Sequence, residues 1–200
     1  MWIRRTFLDS SSDGSRMPIR TRLIKMGHSC CTSHQRFDSS QYQVCLKALK
    51  QIDSELAYLA LLTCEGLKPL SRWEKPLGEN GLELLHRMNL LTSQIRRTVK
   101  ASDDVAETIF SRMPAYMDLY EKGFGDTPID KSARTQRLEG FLFGYPPCCV
   151  DQYIQEPYAP NNLAKKDQEI LFHWACKNCA VTPVLFPAYR SIHDWLEHLS

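Results

Sequence analysis

Residues 144–154 read GYPPCCVDQYI, and residues 173–179 read HWACKNC. The first stretch sets the architecture of the last third of the chain. Pro146 and Pro147 suit the entry and first position of a helix, because proline's missing N–H falls among amides that have no intrahelical partner anyway. Residues 148–155 are therefore expected to form the first two turns of a helix, with Cys148 and Cys149 at its N-terminus. There the free N–H groups and the helix dipole favour thiolate over thiol. In the second stretch, His173, Cys176 and Cys179 recur every third residue. On a continuing helix they fall within an arc of about 120°. In a looser turn, C-x-x-C is a common two-thiolate chelate of zinc and iron–sulfur sites. The candidate metal ligands are Cys148, Cys149, His173, Cys176 and Cys179. Neighbouring helical residues point about 100° apart, so the preferred set is Cys149, His173, Cys176 and Cys179. Cys148 is the substitute ligand, or a free thiol available for catalysis or redox sensing.

Working outward, a helix from Thr127-Pro128 or Asp130 to Phe143, stopped by Gly144, precedes this motif, and Pro- and Asn-containing EPYAPNN (156–162) follows it. A helix over 163–176 comes next. Pro183 and Pro187 are expected to break the chain before a last amphipathic helix over 188–199. Upstream, Val44, Leu46, Leu49, Ile52, Leu56, Leu59 and Leu62 recur near helical spacing, which predicts a helix over 42–66 ended by Gly66. Cys45 and Cys64 fall in this pattern as buried small hydrophobes. A second amphipathic helix is expected over 79–91, with His86 at the surface. Residues 94–100 and 115–120 are expected as two short strands. Between them, Ser102 with Asp103 and Asp104 reads as an N-cap opening a helix that stops before Pro114. The fold class is thus mainly α, or α+β with a small central two-stranded element, with the C-terminal helices organised around a Cys/His site.

Composition limits the function. The 200 residues are 43% hydrophobic and carry a net charge of +2, enough for a core and too little basic excess for a dedicated nucleic-acid binder. The nearly apolar run from Leu56 to Leu62 is far shorter than the roughly 20 residues of a membrane span. Residues 1–37 hold seven Arg or Lys against two Asp, and the head is Ser-rich. Such a segment, 1–40, is expected as a disordered extension before a single helical domain, 41–200. Its basic charge is suited to non-specific contacts only. Its HSCCTSH sequence, with His28, Cys30, Cys31 and His34, reads as incidental to the tail. Eight cysteines without a secretory signal, two adjacent pairs and one C-x-x-C point to metal or redox chemistry in a reducing cytoplasm. No phosphate-binding loop is present, since Gly78, Gly81, Gly123 and Gly125 lack its spacing. Asp151 and Glu156 read as solvated helix positions rather than acceptors for His173, and Tyr145 as a packing residue rather than a proton donor.

RLEGFLFGYPPCCVDQYI (137–154) followed by HWACKNC (173–179) resembles a prokaryotic family, domain-of-unknown-function family 483. Its signature is a helix ending in L-G-Y-P-x-C-C-V and a downstream H-x-x-C-x-x-C. Gly144, Tyr145, Pro146, Cys148, Cys149, Val150, His173, Cys176 and Cys179 match it. The resemblance covers roughly 137–190 and is diffuse back to about residue 44. Phe143 replaces an aliphatic residue, and Ala175 stands where the pattern has proline. The resemblance implies that these residues act together; it implies no substrate. Sequence alone therefore supports a metal-binding protein with zinc or an iron–sulfur cluster as cofactor. A thiol or redox enzyme using Cys148 or Cys149, and a metal-free helical interaction module, are the alternatives. Whether the protein is an enzyme is left open.

Overall fold

The architecture is built around one helix that is apolar on every side. Leu56 to Cys64 form an unbroken buried run in α2 (Ser54–Cys64), so neighbouring elements cover it all round. The computed structural model describes residues 40–99, 102–125 and 130–199. The basic head, its His28–His34 cluster and Thr127-Pro128 lie outside them. Among the described residues, eight helices accompany a three-stranded antiparallel sheet of order β1-β3-β2. The mainly α expectation holds, and the sheet has one strand more than expected.

The helix expected over 42–66 is two helices. α1 (Ser40–Ile52) ends at Asp53, whose extended backbone lets its carboxylate accept the Glu55 N–H at 2.8 Å and cap α2. α2 stops at Gly66, which takes φ of +76° while Leu67 N–H reaches back to Leu62 O and Gly66 N–H to Thr63 O. This left-handed cap is the one glycine favours. The chain then enters β1 (Leu70–Trp73), a strand the sequence reading missed. α3 (Glu79–Arg87) follows, and Asn89 at φ 59° closes it.

β2 (Leu91–Val99) pairs antiparallel with β3 (Ser102–Ser111). The helix expected after Ser102 is therefore corrected to a strand. Thr108, Ile109 and Phe110 suit a pleated, half-buried surface, and the strand's two faces both find partners. Ile109 packs with Leu70, Ile95, Met117 and Tyr120 in one cluster. Phe110, one residue on, packs with α2 and Trp73 in the other. The strand expected over 115–120 is likewise corrected. It is α4 (Pro114–Phe124), with Pro114 in its first turn and Met117, Tyr120 and Phe124 buried at helical spacing. The sheet is thus sandwiched between α2 and α4.

α5 (Ala133–Leu142) begins at Ser132, whose hydroxyl accepts the Thr135 N–H, and ends at Gly144 in the left-handed region, φ +71°. It packs closely on α6 (Pro147–Gln155): a Cβ at Gly140 would lie 2.4 Å from a methyl of Val150. The helix expected over 163–176 shrinks to α7 (Lys165–Glu169). Gln168 explains the early stop. Its amide donates to His173 O at 2.8 Å and accepts from Ala175 N–H at 3.2 Å, so the side chain holds the following backbone out of a helix. Asn161 reinforces this by donating to Ala175 O. The last helix, α8 (Thr182–His198), is longer than expected. Pro183 sits in its first turn, where proline is tolerated, and Pro187 lies inside it without ending it. Tyr189, Ile192 and Leu196 bury one face of α8 in the α2 core.

Candidate metal centre

Cys148 and Cys149 occupy the first turn of α6, which Pro147 starts. Cys176 and Cys179 flank a tight turn in which Asn178 takes φ of 59° and Cys179 N–H bonds Cys176 O. The turn lies against the start of α6, and the thiols of Cys148, Cys149, Cys176 and Cys179 all fall within 4.8 Å of one another. Cys149 Sγ is 3.5 Å from Cys179 Sγ and 3.8 Å from Cys176 Sγ, and Cys148 Sγ is 3.6 Å from Cys179 Sγ. Both adjacent cysteines reach the group, because the turn wraps across the helix end instead of facing one side of it.

Backbone amides point at two of the sulfurs. Cys176 N–H donates to Cys149 Sγ at 3.3 Å, and Thr182 N–H donates to Cys179 Sγ at 3.2 Å. Such donors stabilise thiolate. Burial raises the Cys179 thiol, but the hydrogen bonds from Thr182, Cys149 and the Val181 backbone together outweigh it and bring this group down to about 6. Burial dominates at the other two, holding Cys149 well above the usual thiol range and pushing Cys176 up to about 11.

His173, in the preferred ligand set from sequence, stands just outside the four sulfurs. Its Nε2 lies 3.1 Å from Thr182 Oγ1, and Thr182 Oγ1 lies 3.6 Å from Cys149 Sγ. Burial, and then the charge of Lys68, push the imidazole down to about 4, so it is neutral at physiological pH. Its Nδ1 has no hydrogen-bond partner among the described residues. A bare acceptor there is less costly than a buried N–H without an acceptor, so the proton belongs on Nε2, directed at Thr182. Thr182 is then free to donate its hydroxyl to Cys149. This relay escaped the sequence reading. Thr182 lies three residues past Cys179, next to the expected break at Pro183, and the spacing of its partner His173 is that of a metal ligand.

The other sequence candidates take the places expected of them. Cys45 and Cys64 are buried in the core. His86 is exposed and bonds Thr92. Asp151 pairs with Arg137 at 2.8 Å, away from His173. Tyr145 packs its ring 5.5 Å from that of His173. Sequence reasoning missed a second polar group beside the centre. Arg72 on β1 bonds Glu139 at 2.8 Å and Glu74 at 2.7 Å, and Lys68 is buried with its Nζ 4.5 Å above the Tyr145 ring. No described helix is long and apolar enough to cross a membrane. Comparison with protein-family models, with curated proteins and with solved structures found no match.

Proposed function

We propose that the protein is a zinc-binding module whose ion is held by Cys148, Cys149, Cys176 and Cys179, with a structural role in joining α6 to the start of α8. The observation that carries this reading is the spacing of the four sulfurs. Four sulfurs at about 2.3 Å from one tetrahedral ion stand roughly 3.8 Å apart. Three of the six sulfur pairs, at 3.5 to 3.8 Å, are at that single-ion spacing, and all six lie within 4.8 Å. In an iron–sulfur cluster the four cysteines are shared among two or four iron atoms, and sulfurs on different irons stand further apart than sulfurs on one ion. The donor chemistry agrees, since four thiolates suit zinc and leave no coordination position open for substrate, as in structural sites. The reading uses all four C-terminal cysteines, which removes the spare thiol that a redox or nucleophilic mechanism needs. Gly144, Tyr145, Pro146, Cys148, Cys149 and Val150, the residues on which the resemblance to domain-of-unknown-function family 483 rests, build the helix start that carries two of the ligands.

The test is metal content of the full chain purified without chelator, for the natural sequence and for Cys→Ser changes at each position. One zinc per chain, lost in C148S, C149S, C176S and C179S alike and retained in His173→Gln, is expected. Retention in C148S together with loss in H173Q would replace the four-cysteine set by Cys149, His173, Cys176 and Cys179.

A further inference from the structure

A cleft of about 250 Å³ opens between the α2–β1 connection and the loops after α5 and α7. Lys68 lies at its floor, 2% exposed, under the rings of Phe143, Tyr145 and Phe172. Its Nζ makes one hydrogen bond, 3.1 Å to Phe143 O. An ammonium has three donors; the other two face the aromatic rings and have no oxygen acceptor among the described residues. The other cations of the cleft are already engaged. Arg72 bonds Glu139, Glu74 and the Tyr120 hydroxyl, and Lys75 pairs with Asp53 at 2.7 Å. Among the described residues, Lys68 is therefore the cation of this cleft without a carboxylate partner, and burying a charge without a counter-charge is costly.

We propose that this cleft binds a small carboxylate carrying a flat apolar body, with the carboxylate on Lys68 Nζ and the body among Phe143, Tyr145 and Phe172. A carboxylate has two oxygens for the two unused donors and supplies the missing countercharge. The rings supply the apolar faces that line small-molecule sites. Glu55 and Glu74 also line the cleft, and they repel a doubly charged phosphate more than a singly charged carboxylate.

Burial, and then the neighbouring charge of Arg72, bring Lys68 down to about 7. The titratable and charged groups around it are Glu55 on α2, Arg72, Glu74 and Lys75 on and after β1, Tyr145, and His173. Tyr145 is held far above neutrality and His173 down at about 4, so neither changes charge between about pH 6 and 9. Carboxylate binding should then weaken as pH rises and Lys68 loses its proton.

The experiment is calorimetric titration of the full chain with benzoate, benzyl alcohol and benzylamine at about pH 6 and pH 9. Benzoate should bind at least tenfold more tightly than the other two, and weaken at least tenfold from pH 6 to 9. Lys68→Met should abolish benzoate binding, and Lys75→Met at the rim should change it less than twofold. Should K68M fail to fold, the ranking of the three probes and the pH dependence of the natural chain still decide. No benzoate binding, equal binding of the three probes, pH-independent affinity, or loss in K75M instead of K68M would each overturn the proposal. The test needs no assumption about the metal, so its failure is separate from failure of the zinc reading.

Discussion

Thr182 couples a buried histidine to a cysteine sulfur, and among the described residues its hydroxyl is the one side-chain donor near Cys149 apart from other thiols. Removing that hydroxyl leaves the four sulfurs in place but strips Cys149 and Cys179 of a side-chain donor to their thiolates. Partners of this kind are worth roughly 10- to 100-fold in metal affinity. Thr182→Val, which keeps the side-chain shape, should weaken zinc binding by about tenfold in chelator competition while leaving one zinc per chain at saturation. An unchanged affinity would remove the relay from the account. His173 shows how far a sequence reaches at this scale. Its spacing from Cys176 and Cys179 is that of a ligand, and nothing in a linear pattern tells a ligand from a residue one hydrogen bond away. That difference arises from Gln168, whose amide fixes the backbone at His173 and Ala175.

The elements that carry ligands are positioned by tight helix ends. Gly144 turns the chain from α5 into the Pro146-Pro147 entry of α6, and a Cβ there would lie 2.8 Å from Leu67 O. That neighbour is backbone and cannot rotate away. Gly144→Ala should cost about 1–3 kcal/mol for the left-handed conformation alone, read as a lowered urea midpoint, and should weaken zinc retention because α6 shifts with it. Stability equal to the natural chain would contradict the assigned turn. At this scale the helix starts and stops marked by proline and glycine were legible: Gly66, Gly144, and Pro146-Pro147 all act where the sequence places them. The illegible elements lacked such marks or carried misleading ones. β3 opens with Ser-Asp-Asp, a helix-cap pattern, yet its Thr-Ile-Phe run pairs with β2 and buries both faces. Pro183 and Pro187 looked like a break because position within a helix, which decides whether proline is tolerated, is set by where the cysteine turn ends.

Across the whole molecule, a buried lysine joins the sheet side of the core to the cysteine side. Lys68 follows α2, bonds Phe143 O, and its charge acts on His173. Its folded-state value near 7 lies below the roughly 10.4 of an unfolded lysine. Between about pH 7 and 10 the unfolded chain therefore binds more protons than the native one, so stability rises with pH in that window. From pH 7 to 9 this contributes roughly 2 kcal/mol. In urea titrations, the natural chain should gain that amount relative to K68M over the same two pH steps. A constant difference between the two chains would mean that Lys68 keeps its proton in the fold.

The central claim is that one ion joins α6 to the turn before α8 through four cysteine sulfurs. X-ray absorption at the metal edge of the full chain tests it most directly, because it counts the neighbours of the ion and identifies them. The account predicts zinc with four sulfur neighbours at about 2.3 Å and no imidazole scattering. Three sulfurs with one imidazole nitrogen, or an iron edge with a metal–metal distance, would contradict it.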